Sequence, residues 1–275
     1  MLRAYLTGAR VAAGLWPLVT VLWFCTAAFG VAFALASAAW LADALDGALA
    51  TRALLRQLDV QVLIDLWTHH QAGLRMLLVL AAVLAVFHTA LWWWLDGVVV
   101  AAVAPSAESP WQRGVTLAPV MAVLFALGLL VWLGWSAAVG GAAWALIRLT
   151  RDAPSPHLWE LIVAAAVALW VLGTAWLIAV HDQARLRAGL AGAGALAAYR
   201  WALGFVAAGG EHAFALALLL QLSGLAIWAV YQVIGLALPL TELVGLTWSL
   251  LWGQLFLWLR SGVRVWRLAA QRQLQ

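Results

Sequence analysis

Two stretches of this chain run for more than thirty residues without a charge. Residues 11–42 are 32 consecutive uncharged positions between Arg10 and Asp43, and residues 114–147 are 34 between Arg113 and Arg148. A helix rises about 1.5 Å per residue, so about 20 apolar residues cross a hydrocarbon core about 30 Å thick. Both stretches exceed that length. Composition agrees: 67% of the 275 residues are hydrophobic and 9% charged, with a mean hydropathy of +0.99. Soluble domains hold about 45–50% apolar and about 25% charged residues. A membrane β-barrel needs short segments of strict apolar–polar alternation, and continuous Ala-, Leu- and Trp-rich blocks stand here instead. Backbone amides in lipid must be paired within the structure, which leaves helices for such blocks. The expected fold class is an all-α polytopic transmembrane helical bundle.

Charges and turn residues divide the chain into a single integral membrane domain, 1–275, with about six spans. These are expected at residues 11–42, 76–104, 116–147, 161–180, 213–238 and 243–259. The sixth has only 17 uncharged residues, at the lower limit for spanning, so Arg260 is expected at the interface. The N-terminal run is about twice the length of a secretory h-region and reads as an uncleaved first helix. With six spans both termini share a side. That side collects ten arginines (3, 10, 113, 185, 187, 200, 260, 264, 267 and 272), and the other keeps five (52, 56, 75, 148 and 151). The positive-inside rule then places both termini in the cytoplasm. All 15 basic side chains are arginine and asparagine is absent, a bias read as a GC-rich bacterial genome; the expected location is a bacterial inner membrane. The net charge of +4 gives no reason to invoke nucleic acid, and the lone Cys25 allows no intrachain disulfide or cysteine metal site.

Two connections are longer than turns. Residues 43–73 carry Asp59 as a helix cap, followed by Val60, Leu63, Ile64 and Trp67 on one stripe, which predicts an amphipathic segment at the outer surface. Residues 182–211 carry Arg185, Arg187 and Arg200 among Ala, Gly and Leu, which predicts a cytoplasmic interfacial helix against anionic headgroups. The competing reading of residues 188–208 is a seventh span, at the cost of Arg200 within it.

Polar residues inside the apolar blocks are the candidate functional groups. His88 precedes Trp92, Trp93, Trp94 and Asp96. It reads either as a neutral histidine bonded to a neighbouring helix, or as an axial ligand to haem or chlorophyll or part of a proton path with Asp96. Without that pigment, no cofactor is expected. His69 and Asp65 offer two ligands on one helical face, which does not close a metal site, so no metal is expected. Gln221 and Gln232 lie three turns apart on the fifth span, while Thr247, Gln254 and Ser261 recur every seven residues on the sixth. Facing each other, Gln221, Gln232, Thr247 and Gln254 would form a polar seam, read either as interhelical hydrogen bonds or as a substrate path. Gly134, Ala138 and Ala142, with Gly140 and Gly141 beside them, form a ridge that permits close helix contact within the bundle or with another protein. Trp16, Trp40, Trp111 and Trp159 fall near span ends, where tryptophan anchors at the interface. Walker, GxSxG, HExxH and Cys-pair motifs are missing from the sequence.

Asp182 and Arg185, at i and i+3 beyond the fourth span, are expected to pair, and Arg260 and Arg264 end the sixth span on the same side. These four residues are expected to act as a structural clasp.

Three stretches carry a resemblance. They are Leu58–Leu66 with His69-His70, then His181-Asp182-Gln183-Ala184-Arg185-Leu186-Arg187, then Gln254–Arg260 with Arg264 and Arg267 after it. Together they resemble a group of uncharacterised six-helix bacterial inner-membrane proteins with an "FDP…L" outer segment, a "DYARIR" stretch after the fourth span and an arginine-rich final helix end. The chain departs from that pattern at Gln183, where an aromatic is usual, and at Asp96-Gly97, in place of a Gly-Gly pair. The resemblance implies the six-span layout and cytoplasmic termini, and no catalytic residue. The expected function is a non-catalytic accessory, scaffold or assembly subunit of a larger membrane complex, partnered by lipid and by other membrane subunits. The alternative is a permease or channel-like transporter using the polar seam.

Overall fold

A computed structural model describes residues 1–44, 67–104, 108–150, 157–237 and 243–275. Most of the expected outer segment, including Asp59, Val60, Leu63 and Ile64, lies outside the described residues. Among the described residues the regular structure is entirely helical. The main helices are α1 (Leu2–Gly14), α2 (Trp16–Ala44), α3 (Gln71–Val103), α4 (Pro110–Leu149), α5 (Leu158–Ala191), α6 (Ala195–Ala207), α7 (Glu211–Ala237) and α8 (Leu243–Arg272). Five of them, α2, α3, α4, α5 and α7, are long and apolar enough to cross a membrane. Helix α8, which contains the expected sixth span, has 30 residues and so sufficient length. Its apolar half is diluted by Trp248, Trp252, Gln254, Trp258 and Arg260, which sets it apart from the other five.

Helix boundaries shift from the expected ones for local reasons. The first long helix starts at Trp16, not Val11, because Pro17 has no amide hydrogen and its ring clashes with the carbonyl of residue 13. Leu15 takes the break, its N–H shared between the carbonyls of Val11 and Ala12 at 3.1 Å each. Helix α5 continues past the expected end at Val180 as far as Ala191, where Gly192 adopts φ 63° and closes it with a left-handed residue. Residues 182–191 are therefore an extension of α5, and the separate helix begins only at Ala195. At 13 residues α6 is about 20 Å long, shorter than the hydrocarbon core. It lays Ala198, Tyr199, Ala202 and Val206, spaced along one face, into the protein, and packs beside α5 and α4.

The chain forms two compact units. The first comprises residues 1–15, 93–224 and 263–275, and the second residues 16–92 and 225–262. In the first, Ala4, Leu216, Leu220 and Ala270 make a small core flanked by Tyr5, Trp266 and Leu274. Gly97 and Gly114 let α3 and α4 touch backbone to backbone. A Cβ on Gly97 would stand 2.7 Å from the carbonyl oxygen of Gly114, and one on Gly114 would run into the Val98 side chain. Small residues at such crossings are how membrane helices gain packing without a hydrophobic driving force.

The second unit is held by indole groups. The Trp23 N–H donates to Gln254 Oε1 at 3.0 Å, that of Trp258 to Thr20 Oγ1 at 3.2 Å, and that of Trp252 to the Tyr231 carbonyl at 3.1 Å. Tyr231 also stacks on Trp252 and on Phe256, with centroids 6.2 and 4.4 Å apart. Tryptophan thus works here as a cross-helix donor, while Trp16, Trp111 and Trp159 are exposed as interfacial anchors would be.

A buried charge chain as candidate functional site

The first unit buries a set of ionised side chains drawn from three helices. Helix α3 contributes Asp96, α5 contributes Asp182 and Arg185, and α8 contributes Arg264 and Arg267. Asp96 bridges Arg185 through one oxygen and Arg264 through the other. Arg185 Nη1 also stands 3.7 Å from Asp182 Oδ1. Asp182 in turn meets Arg267, whose Nε is 2.6 Å from Oδ2 and whose Nη2 donates to Oδ1 at 3.1 Å. The charges alternate along the line Arg264, Asp96, Arg185, Asp182, Arg267. Its middle is sealed: the side chains of Asp96, Arg185 and Asp182 are 4%, 6% and 0% exposed, whereas the two ends are 27% and 23% exposed.

The sequence builds this line with helical spacing. Asp182 and Arg185 are one turn apart on α5, as are Arg264 and Arg267 on α8, so each helix offers two charges on one face. Gln271, one turn beyond Arg267, extends the contact with neutral groups. Gln183 Nε2 donates to Gln271 Oε1 at 2.9 Å, and Gln271 Nε2 donates to the Ala213 carbonyl at 2.9 Å. Gln275 closes on Gln183 Oε1 at 2.6 Å. Two further arginines cap helix ends. Arg272 donates to the Val103 carbonyl at the end of α3, and Arg113 donates to the carbonyls of Ala104 and Gly189. Cations at C-terminal carbonyls meet the negative end of the helix dipole. His181 lies beside this region with its ring against Gly128, where a Cβ would be only 2.9 Å from ring atoms.

Of the residues singled out in the sequence, Asp182 and Arg185 meet as expected. Arg264 joins the same set but pairs with Asp96, and it is Arg267, outside the expected clasp, that meets Asp182. Arg260 itself is exposed. The reason is register: Arg267 lies one turn beyond Arg264, which carries it on to Asp182. Asp96 entered the sequence reading as a proton-path partner of His88, Arg267 and Gln183 through the resemblance, and Gln271 was not singled out. An acidic group at the end of a long apolar run was the available signal for Asp96, because it needs a cationic partner from another helix.

Asp96 is engaged by two arginines, so its described contacts account for it without a proton path to His88. The His88 Nε2 atom accepts a hydrogen from the Trp92 indole, and the ring meets Phe29 edge-on at 5.0 Å. Ligation of a pigment iron or magnesium through Nε2 would require Trp92 to leave. His88 borders an open apolar groove of about 310 Å³ with Phe29, Gly30, Phe33, Ala81 and Ala85. The four glutamine and threonine residues of the expected seam are not gathered by their described contacts. Gln254 is taken by Trp23 of α2, Gln232 and Thr247 are exposed, and Gln221 belongs to the other unit with its side-chain carbonyl buried. The faces of α7 and α8 that meet in the second unit carry Tyr231, Trp252 and Phe256. Among the described residues no group of three or more His, Cys, Asp or Glu side chains is placed to hold a metal ion.

Comparison with protein-family models, with curated proteins and with solved structures returns no match. The chemistry of the charge chain is then the guide. All four carboxylate oxygens face guanidinium groups, and the centre is closed to water. Such an arrangement ties helices together and commits all the carboxylate oxygens of Asp96 and Asp182 to guanidinium groups.

Proposed function

We propose that the chain is a six-span bacterial inner-membrane protein with cytoplasmic termini, acting as a non-catalytic accessory, scaffold or assembly subunit of a larger membrane complex. The observation that carries this reading is the small-residue ridge of α4. Gly134, Ala138, Gly140, Gly141 and Ala142 are exposed, and a Cβ placed on any of the three glycines would meet nothing within 4 Å. A face built for close helix contact is thus turned away from the described parts of its own chain, as a lateral docking face would be. The buried ionisable groups support the same reading, since the carboxylates of Asp96 and Asp182 are taken up by arginines of the same chain. The sixth span would be the apolar half of α8, and the three stretches that resemble six-helix inner-membrane proteins support that layout.

Native mass spectrometry of the protein extracted from its own membranes in mild detergent tests the assignment. Co-purifying subunits are expected. They should cross-link to a cysteine placed at Ala138 in a Cys25→Ala background. A bare monomer or homo-oligomer carrying only lipid would overturn it. The alternative, a permease working through the last hairpin, draws support from the buried side-chain carbonyl of Gln221, which has no hydrogen-bond partner among the described residues. It requires a hydrated path, so water-soluble thiol reagents should reach cysteines placed at Gln221 and Gln254.

A further inference from the structure

The turn between α5 and α6 brings together a second set of cationic and aromatic groups, distinct from the buried charge chain. Between Gln183 and Gly210 the sequence has three arginines and no acidic residue. Arg185 is consumed inside the protein, but Arg187 and Arg200 are exposed. The Arg187 guanidinium lies over the Trp201 ring, 4.9 Å from its centroid. Trp201 is itself held by Phe205, stacked at 5.0 Å with the planes 17° apart. Arg200 leaves α6 at the neighbouring position. A guanidinium parked on an indole has already lost much of its side-chain freedom, while its edge donors still point outward.

Place in the chain decides what this cradle meets. Helix α5 is long and apolar enough to span, and its apolar run ends near Val180. Arg187 is seven residues further, about 10 Å along the axis, just past a headgroup layer about 5–7 Å thick, within reach of a long guanidinium side chain. The outward surface beside it is apolar, with Leu190 42% and Leu196 62% exposed, which suits acyl chains and glycerol better than water. We infer that Arg187 and Arg200, on the Trp201 platform, bind the phosphate of an anionic phospholipid headgroup. This rests on the membrane reading of α5 and is independent of whether the protein has partner subunits. The turn that makes the cradle is set by Gly192, whose φ of 63° reverses the chain so that α6 folds back beside α5.

The test is native mass spectrometry of the full chain from micelles doped with equal parts phosphatidylglycerol and phosphatidylcholine. The wild type should retain phosphatidylglycerol selectively. Each arginine near an anionic surface contributes about a fivefold factor, so Arg187→Gln with Arg200→Gln should lower the preference about 30-fold. Arg200→Gln alone, on the outer face of α6, should lower it about fivefold, and serves if the double variant folds poorly. Replacing both arginines with lysine should keep most of the preference, whereas Trp201→Leu should weaken it by freeing Arg187. Equal retention of the two lipids by the wild type would overturn the site. So would an unchanged preference in the double glutamine variant, including the case where that variant instead loses an acidic protein partner.

Discussion

The charge chain makes an unequal prediction for its members. Three guanidinium groups face two carboxylates, so removing a carboxylate and removing the central guanidinium should differ in cost although both sit in the same network. Asp96→Asn takes a carboxylate from both Arg264 and Arg185 and leaves Asp182 alone between Arg185 and Arg267, with Arg185 only 6% exposed. Removing one member of a buried pair costs about 3–5 kcal/mol, because the orphaned charge stays desolvated. Arg185→Met, close in volume, leaves two separate pairs, Arg264 with Asp96 and Arg267 with Asp182, and no excess charge. Its cost is the lost charge-assisted bonds, about 2 kcal/mol. At roughly 2–4 °C per kcal/mol for a chain of this size, the apparent Tm should fall by about 6–20 °C for Asp96→Asn and by about 4–8 °C for Arg185→Met, with the Asp96→Asn shift the larger at any one conversion factor. The assay is thermal unfolding in a mild detergent, followed by the fluorescence of the 20 tryptophans. Equal shifts, or a larger shift for Arg185→Met, would refute the alternating-charge account. A shift under about 2 °C for both would remove the cluster as a stabilising element.

Three further outcomes follow from the structure. Gly97→Leu should abolish folded yield, because even a Cβ there would press on the Gly114 backbone, whereas Gly140→Ala, in open space, should leave stability within about 0.5 kcal/mol; size-exclusion profiles after overexpression read both. Gln271→Leu should lose about 1–3 kcal/mol, since the buried Gln183 amide loses its side-chain acceptor and keeps only the Gln271 backbone carbonyl at 3.3 Å, while the Ala213 carbonyl loses its side-chain donor; a near-neutral melting curve would show that the network is dispensable. On the proposed topology a C-terminal green fluorescent protein fusion should fluoresce and a C-terminal alkaline phosphatase fusion should stay inactive, and the opposite pair of results would invert the orientation.

Charge-free length was legible in the sequence because it is a one-dimensional property: a run such as residues 114–147 has no other stable home. Helix ends were less so. The break at Leu15 required weighing Pro17 against an otherwise uninterrupted apolar run, and the run hid it. The end of α5 was hidden in the other direction, because Asp182, Arg185 and Arg187 look like a departure from the membrane while their backbone continues as helix to Ala191. Pairings across helices were the least legible. Asp182 with Arg185 could be read from spacing, but the choice of Arg264 for Asp96 and of Arg267 for Asp182 depends on how α3, α5 and α8 are rotated, which no single helix encodes. The same limit governed Gln254: its need for a partner was readable, and its partner, Trp23 of α2, lies 231 residues away.

The arginines also carry two signals at different times. Ten of the fifteen fall on the proposed cytoplasmic side, which is the count that assigns the orientation. Five of those ten, at 113, 185, 264, 267 and 272, end inside the first unit as ion pairs or caps on helix carbonyls. Only Arg3, Arg10, Arg187, Arg200 and Arg260 remain exposed. The positive-inside bias acts during insertion, on loops that have not yet packed, so all ten count toward topology even though half are later withdrawn from solvent. That sequence of events explains why Asp96 and Asp182 can lie in an arginine-rich region without cancelling its topological signal, since acidic residues contribute little to it. It also explains the excess of guanidinium over carboxylate in the finished cluster. Orientation needs a surplus of positive charge at these helix ends, packing needs that charge neutralised, and two carboxylates between three arginines meet both requirements.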